Sequence, residues 1–280
     1  MQMKYNLFMV EQLYSDIPPT KLRNKKEKFT PAKTNKFWLW VASFFFFNML
    51  QNRFYAFRYR GAENYFDGDT KIPTILFAPH CNWWDGIVFY NITHRIFHKE
   101  IRIMIEELNR FPILNHGGGY SVNKSSSQSV MRALQYSVDV VGDLKNFLCI
   151  FPQGIIRPPH FRPIEFQTGL AYIAKNAVKR YGRVNLIPVA IDYTFFRDNR
   201  PEVVVDFGKR IELDKSSNLD KKELTHMLEK ALETTCDEQF KEISTGDVAN
   251  YNILFKQHLK WYRRIEQRLK RIDLPPVADV

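Results

Sequence analysis

The sequence has few cysteines, and none of them fits a pattern that closes a disulfide framework or a zinc site. Cys81, Cys149 and Cys236 are widely spaced, and no C-x-x-C pair occurs. The histidines also lack paired ligand spacing, since His94 and His98, four residues apart, are most simply one helix face. We therefore expect no bound metal and a reduced, cytoplasmic protein, which excludes a disulfide-rich secreted domain.

The sequence also lacks a long uninterrupted apolar run, a Ser/Gly-rich linker and an internal repeat. Its most apolar stretch, residues 37–50, contains Ser43 and Asn48, and as a helix it would extend only about 21 Å. A bilayer core is roughly 30 Å thick, so this stretch is short for a spanning helix unless it continues through Phe54 and Phe57. Without linkers, 280 residues predict one large α/β domain with terminal appendages.

Basic residues are concentrated near the start of the chain. The net charge is +11, and residues 1–60 contain 11 Lys and Arg against three acidic residues. The densest group stands directly before residues 37–50 and consists of Lys21, Arg23, Lys25, Lys26, Lys28, Lys33 and Lys36. A basic cluster beside an aromatic stretch predicts an interfacial or re-entrant anchor on anionic lipid, with Trp38 and Trp40 at headgroup depth. An ordinary core helix is the alternative.

Nucleic acid is not an expected partner, because the basic cluster adjoins no groove-sized helix or stacking sheet and no nucleic-acid motif occurs.

Short apolar runs alternate with helical patterns through the middle of the chain. Strands are predicted at residues 74–78, 101–105, 147–151, 184–193 and 203–207, and helices at residues 86–97, 125–141, 168–179 and 220–232. This alternation predicts a single α/β domain, with a mixed, largely parallel sheet flanked by helices and an N-terminal membrane-associating helical segment. We divide the chain into an anchor segment (residues 1–60), a core (61–212) and a C-terminal helical region (213–280), which includes a basic helix at residues 258–272.

His80 and Asp85 are separated by four residues at the junction of a predicted strand and a predicted helix. The carboxylate, about one helical turn after the imidazole, can reach back to one ring nitrogen and leave the other free as a base. No Ser or Cys stands in a nucleophile elbow. The pattern therefore indicates direct deprotonation of a substrate hydroxyl, although a His and an Asp at this spacing also occur by chance.

Three further blocks follow at residues 117–124, 150–157 and 186–191. With the H-x4-D block at residues 79–85, they stand in the order of the glycerolipid acyltransferase family, which the chain resembles over residues 60–212. The resemblance implies an acyltransferase core without a bound cofactor. It would move a fatty acyl group from acyl-CoA or acyl-ACP to a lysophospholipid hydroxyl, such as that of 1-acylglycerol-3-phosphate, at the cytoplasmic face of the membrane.

The resemblance also implies roles for individual residues. His80 would be the general base, and Asp85 would orient it. The substrate-binding candidates are Asn82, Trp84, Lys124, Gln153, Gly154 and Arg157. Among them, Lys124 and Arg157 would contact an acceptor phosphate or the phosphates of coenzyme A, and the backbone N–H groups of Gln153 and Gly154 would face the oxyanion.

Three residues depart from the family pattern. Gln153 stands where Glu is usual, Arg157 comes one position late, and Lys124 replaces a more frequent Arg. A branch that acylates sugar hydroxyls of carotenoid glycosides also has a Trp-Trp-Asp ending and a Phe-Pro-Gln-Gly block. A glycolipid acceptor, a hydrolase and an inactive membrane-bound lipid-binding protein therefore stay open as alternatives.

Overall fold

A computed structural model describes residues 28–258, apart from residues 107, 109, 110, 112, 197 and 247. Within this range the strands are β1 (Ala56–Arg60), β2 (Thr74–Phe77), β3 (Glu100–Glu106), β4 (Gly119–Val122), β5 (Asn146–Ile150), β6 (Arg183–Thr194), β7 (Glu202–Phe207), β8 (Ile211–Asp214) and β9 (Asn252–Lys256). The helices are α1 (Lys36–Arg53), α2 (Glu63–Phe66), α3 (Trp84–Asn91), α4 (Ile113–His116), α5 (Ser127–Val141), α6 (Gly169–Tyr181) and α7 (Lys221–Thr245). A π-helical turn, Ile92–Ile96, extends α3. Most of the basic cluster and the predicted C-terminal helix lie outside the described residues.

The strands form one sheet in the order β4-β3-β5-β2-β6-β7-β1-β9, with β8 beside β6. The run from β4 to β6 is parallel, and so is the pair β1–β7, whereas β7 and β8 pair with β6 and β9 pairs with β1 in antiparallel fashion. The first half of β6 pairs with β2 and β8, and its second half pairs with β7. The prediction of a mixed, largely parallel sheet flanked by helices is confirmed.

Each face of the sheet is covered by its own helices. Because side chains alternate along a strand, Leu76 joins the core that includes Val88 of α3, while Ile75 joins the core that includes Leu170 of α6 and Leu228 of α7. All five of these side chains are buried. The central strands are therefore apolar on both faces, as parallel strands between two helix layers require.

Helix α7 is longer than the sequence pattern predicted. Asp220 caps it, with Glu223 completing a capping box, so its predicted start is confirmed. The predicted end at residue 232 is wrong, because Cys236 and Gln239 continue the buried side of the helix and Gly246 ends it in a left-handed conformation.

Helix α1 covers the predicted aromatic stretch and packs along α3. The Tyr90 hydroxyl donates to the Leu39 carbonyl at 2.9 Å, and the Tyr90 ring meets Phe46 edge-on. Four large side chains of α1 stay exposed, namely Phe37, Trp40, Phe44 and Phe45. Among the helices that the structure describes, none combines the length and the apolar character needed to cross a membrane.

Strands β1 and β9 come from outside residues 61–212 yet pair with each other in the same sheet. The proposed boundaries at residues 60 and 212 stay a prediction.

A buried ion pair joins β1 to β7. Arg58 Nε lies 2.6 Å from Glu202 Oε2, and the two side chains are 6% and 3% exposed. A buried charged side chain needs a counterion, so removing one partner of a buried pair leaves the charge of the other uncompensated. The Arg58–Glu202 pair is therefore expected to fix how β1 and β7 associate.

We predict that Glu202→Gln lowers the free energy of unfolding by about 3 kcal/mol, because it leaves the Arg58 charge buried without its counterion. Replacing both partners (Arg58→Met with Glu202→Leu) should recover most of this loss. The measurement is urea unfolding followed by circular dichroism. The control is Arg183→Met, which breaks the exposed Arg183–Glu212 pair and should cost less than about 1 kcal/mol. Equal losses at the two pairs would contradict the prediction.

Candidate functional site

The site lies where parallel strands end at the same edge of the sheet. Strands β2 and β5 are neighbours, and the Ala78 N–H donates to the Ile150 carbonyl at 3.1 Å just past the end of β2. The chain then leads from β2 into His80 and from β5 into Phe151. The first and third sequence blocks, far apart in the chain, therefore meet in space.

Asp85 lies in the first turn of α3 and is 0% exposed. Its Oδ2 atom lies 2.8 Å from His80 Nδ1 and accepts the backbone N–H groups of Cys81 at 2.6 Å and Asn82 at 2.9 Å. The Asn82 side chain in turn accepts the Trp84 N–H at 2.6 Å, which holds the loop against the start of the helix. The predicted carboxylate–imidazole contact is present in this loop.

Tyr193 makes a further contact that the sequence did not reveal. Its hydroxyl donates to Asp85 Oδ1 at 2.7 Å from near the end of β6. Burial, followed by the charge of Asp85, raises the pKa of the Tyr193 phenol well above its ordinary value, so the hydroxyl keeps its proton and donates. The sequence indicated a strand at residues 184–193, but no local pattern identified this strand as the neighbour of β2.

The His80 ring stacks on Phe151, with centroids 4.3 Å apart and planes 13° apart. Its side chain is 24% exposed, and the described residues place no hydrogen-bond partner at Nε2. With Nδ1 directed to Asp85, Nε2 is the ring atom open to a substrate hydroxyl. This arrangement is what a general base requires.

The third block holds the backbone of His80 on both sides. Gln153 Oε1 accepts the His80 N–H at 3.1 Å, and the Arg157 N–H donates to the His80 carbonyl at 2.8 Å. Gly154 turns the chain between them with φ +70°, a conformation that glycine adopts without strain. The Gly154 N–H donates to the Phe151 carbonyl at 3.1 Å, which leaves the Gln153 N–H as the candidate oxyanion donor of the two.

The two candidate cations differ in their surroundings. Lys124 Nζ lies 2.6 Å from Glu106 Oε2 and also donates to the Gly154 carbonyl. The Arg157 guanidinium lies over the Phe161 ring at 5.0 Å, and no carboxylate of the described residues is within ion-pair distance of it. Arg157 is therefore better placed to receive an anion than Lys124, whose charge is already matched.

Trp84 is partly buried and meets Phe54 edge-on, with ring centroids 5.2 Å apart. Its neighbour Trp83 is exposed, as are Ile155 and Ile156 in the third block. Apolar surface therefore flanks the His80 loop, while the Trp84 ring itself serves packing between α1 and α3.

Cys81 stands next to His80 but is a poor nucleophile. Burial and then the charge of Asp85 raise the pKa of the Cys81 thiol far above its ordinary value. Within the described ranges, no three His, Cys, Asp or Glu side chains converge in a way that could hold a metal ion.

Comparison with known proteins places this geometry in context. Residues 56–192 match the model of the family described as Acyltransferase, and they contain the His80 loop, the third block and β6 up to Asp192. A search of curated proteins found no significant match to the chain.

We predict that the cysteines of the folded protein react with iodoacetamide at pH 8 at least about tenfold more slowly than those of the urea-unfolded chain, because the thiolate is the reactive form. Burial raises the pKa of Cys236 to about 12, and it also raises the pKa values of Cys81 and Cys149 well above their ordinary value. Peptide mass spectrometry gives the rate at each site. Reaction of Cys81 at the unfolded rate would make its thiol available as a nucleophile.

Proposed function

The chain belongs to the acyltransferase family through residues 56–192, and we propose that it transfers a fatty acyl group from an acyl thioester to a lipid hydroxyl, with His80 as the general base. The observation that carries the proposal is the His80–Asp85 pair, in which Nδ1 faces a buried carboxylate while Nε2 is open. Family membership supports an acyltransferase activity in general, and the site supports this particular assignment of the base.

The chemistry follows from this arrangement. His80 Nε2 takes the proton of the acceptor hydroxyl as the oxygen attacks the thioester carbonyl carbon. Asp85 stabilises the imidazolium that forms. When the tetrahedral intermediate collapses, the C–S bond breaks and the leaving thiolate recovers the proton from His80. The Gln153 N–H is the candidate donor to the oxyanion.

A lysophospholipid such as 1-acylglycerol-3-phosphate is the preferred acceptor. Arg157 lies in the loop that holds His80, and a guanidinium suits a phosphate because it offers two parallel donors. The exposed Trp83, Ile155 and Ile156 provide apolar surface beside the same loop for acyl chains. The donor is acyl-CoA or acyl-ACP, since both present the same thioester.

A glycolipid acceptor is the second candidate, favoured by the neutral Gln153 and by the pairing of Lys124 with Glu106. The Lys124–Glu106 pair leaves less unmatched positive charge for a phosphate-bearing acceptor, and Gln153 resembles the branch of the family that acylates sugar hydroxyls. A sugar hydroxyl could be deprotonated by His80 in the same manner.

We further propose that the protein docks on anionic membrane at the cytoplasmic face through the exposed aromatic face, defined as Phe37, Trp40, Phe44 and Phe45 of α1. Lys33 and Lys36 precede this face in the chain and are exposed, and the sequence has further basic residues before them. Aromatic insertion and cationic attraction act together at such interfaces. Phe54, just past the opposite end of α1, contacts Trp84, so α1 links the aromatic face to the His80 loop.

We predict that His80→Ala lowers acyl transfer at least about a hundredfold while the protein stays folded, because the base is lost and the side chain is partly exposed. The assay offers radiolabelled long-chain acyl-CoA with lysophosphatidate and a glycolipid in parallel. His226→Ala is the control, since that side chain is exposed on α7.

Labelling of lysophosphatidate that depends on His80 would support the preferred acceptor, and labelling of the glycolipid alone would support the second. Release of free fatty acid without an acceptor would indicate a hydrolase. Donor binding with neither transfer nor hydrolysis would contradict the proposal and favour an inactive lipid-binding protein.

We predict that Trp40→Ser with Phe44→Ser reduces partitioning onto phosphatidylglycerol vesicles at least about tenfold, because two large apolar side chains no longer insert. Cosedimentation measures the bound fraction, and raising the salt concentration should weaken binding to these vesicles. Phe240→Ser is the matched control, because Phe240 is similarly exposed but lies on α7. Equal losses in the double variant and the control would rule out α1 as the docking element.

A further inference from the structure

The two oxygens of the Asp85 carboxylate have different partners. Oδ2 serves His80 and two backbone N–H groups, while Oδ1 accepts the Tyr193 hydroxyl at 2.7 Å. Asp85 is fully buried, so water cannot solvate it. A buried carboxylate needs hydrogen-bond donors to offset the solvation that it has lost, and Tyr193 provides the donor at Oδ1.

We propose that Tyr193 is a positioning residue for the catalytic base. Its hydroxyl fixes the plane of the Asp85 carboxylate and draws part of the negative charge toward Oδ1, which sets how strongly Oδ2 attracts the proton on His80. This inference rests on the proposed function of His80. Together, His80, Asp85 and Tyr193 form what we call the base network.

Tyr193 is suited to positioning because it belongs to a different element from the loop that it restrains. It pairs with Val203 across the β6–β7 junction, and its ring packs on Phe54, with centroids 5.6 Å apart. The hydrogen bond therefore ties the His80–Asp85 loop to the sheet. A charge-assisted hydrogen bond of this kind is stronger than one between neutral groups.

Besides the Asn82 side chain, which hydrogen-bonds the Tyr193 phenol, the groups around the base network and its neighbour Cys81 come from four parts of the fold. Cys81 adjoins it on the loop, and Asp192 of β6, Cys236 of α7 and Arg162 of the loop after β5 all act electrostatically on Cys81. Phe151 stacks on His80 and carries no charge. Among the described residues, only Tyr193 donates to Asp85 Oδ1.

Tyr193→Phe is expected to shift the acid limb of the pH–rate profile to higher pH by roughly half a unit to one unit. Without the hydroxyl, more negative charge stays on Oδ2, and the imidazolium of His80 is better stabilised. On the acid limb a larger share of His80 is then protonated than in the wild-type protein, so transfer falls several-fold there and recovers at higher pH. A purely structural role would lower the rate at every pH alike.

The experiment compares the wild-type protein with Tyr193→Phe and Tyr120→Phe. Tyr120 is the matched control, because its buried hydroxyl lies 2.6 Å from Ser137 Oγ on the other face of the sheet. NMR follows the His80 imidazole through a pH titration, with its signal assigned by comparison with His80→Ala. Circular dichroism checks that each variant is folded, and acyl transfer is measured over the same pH range.

A His80 titration midpoint that moves upward in Tyr193→Phe but not in Tyr120→Phe would support the proposal. An unchanged midpoint in folded Tyr193→Phe would overturn it. The NMR measurement needs no turnover, so it separates the two hypotheses. Absence of acyl transfer in the wild-type protein would count against the proposed function and would leave the test of Tyr193 intact.

If Tyr193→Phe does not fold, 3-fluorotyrosine at this position provides a second test. The fluorinated phenol is a stronger donor, so the midpoint should move downward, and no movement would overturn the proposal.

Discussion

The burial of the Asp85 carboxylate constrains the whole site. A charge removed from water must be surrounded by donors, and here they come from the loop backbone, from His80 and from Tyr193 of β6. Each donor restricts a different part of the fold: the loop must curl into the first turn of α3, the imidazole must present Nδ1, and β6 must lie beside β2. The geometry of the His80 loop and the position of β6 beside β2 therefore both contribute donors to one buried carboxylate.

Strand β6 joins the two parts of the sheet, so the stability of the sheet affects the position of Tyr193. Its first half extends the parallel strands that end at His80 and Phe151, and its second half pairs with β7, which the Arg58–Glu202 ion pair fixes to β1. A strand held along both halves presents its final side chains with little freedom. This rigidity suits a residue that must hold a carboxylate within a narrow range of positions.

The surface around the His80 loop combines charged groups with exposed apolar side chains. The ionised groups near the His80 loop are largely matched, as Lys124 is by Glu106, whereas Arg157 faces no carboxylate among the described residues. Exposed apolar side chains lie beside the same loop, and Phe54, just past the end of α1, contacts Trp84 at its edge. A lipid with one anionic group and long chains would satisfy both kinds of surface, while a neutral sugar headgroup would leave Arg157 without a partner.

The sequence by itself determined the local features. The apolar runs gave most strands of the central sheet, the spacing of His80 and Asp85 placed the two groups within one turn, and Asp220 marked the start of α7. These features depend on neighbours along the chain, so periodicity and capping express them. The tertiary structure alone decided that Tyr193 would meet Asp85, that Glu106 would neutralise Lys124, and that β1 and β9 would complete the sheet. Those contacts join residues far apart in the chain, and they arise from strand order and register, which no local pattern of residue types encodes.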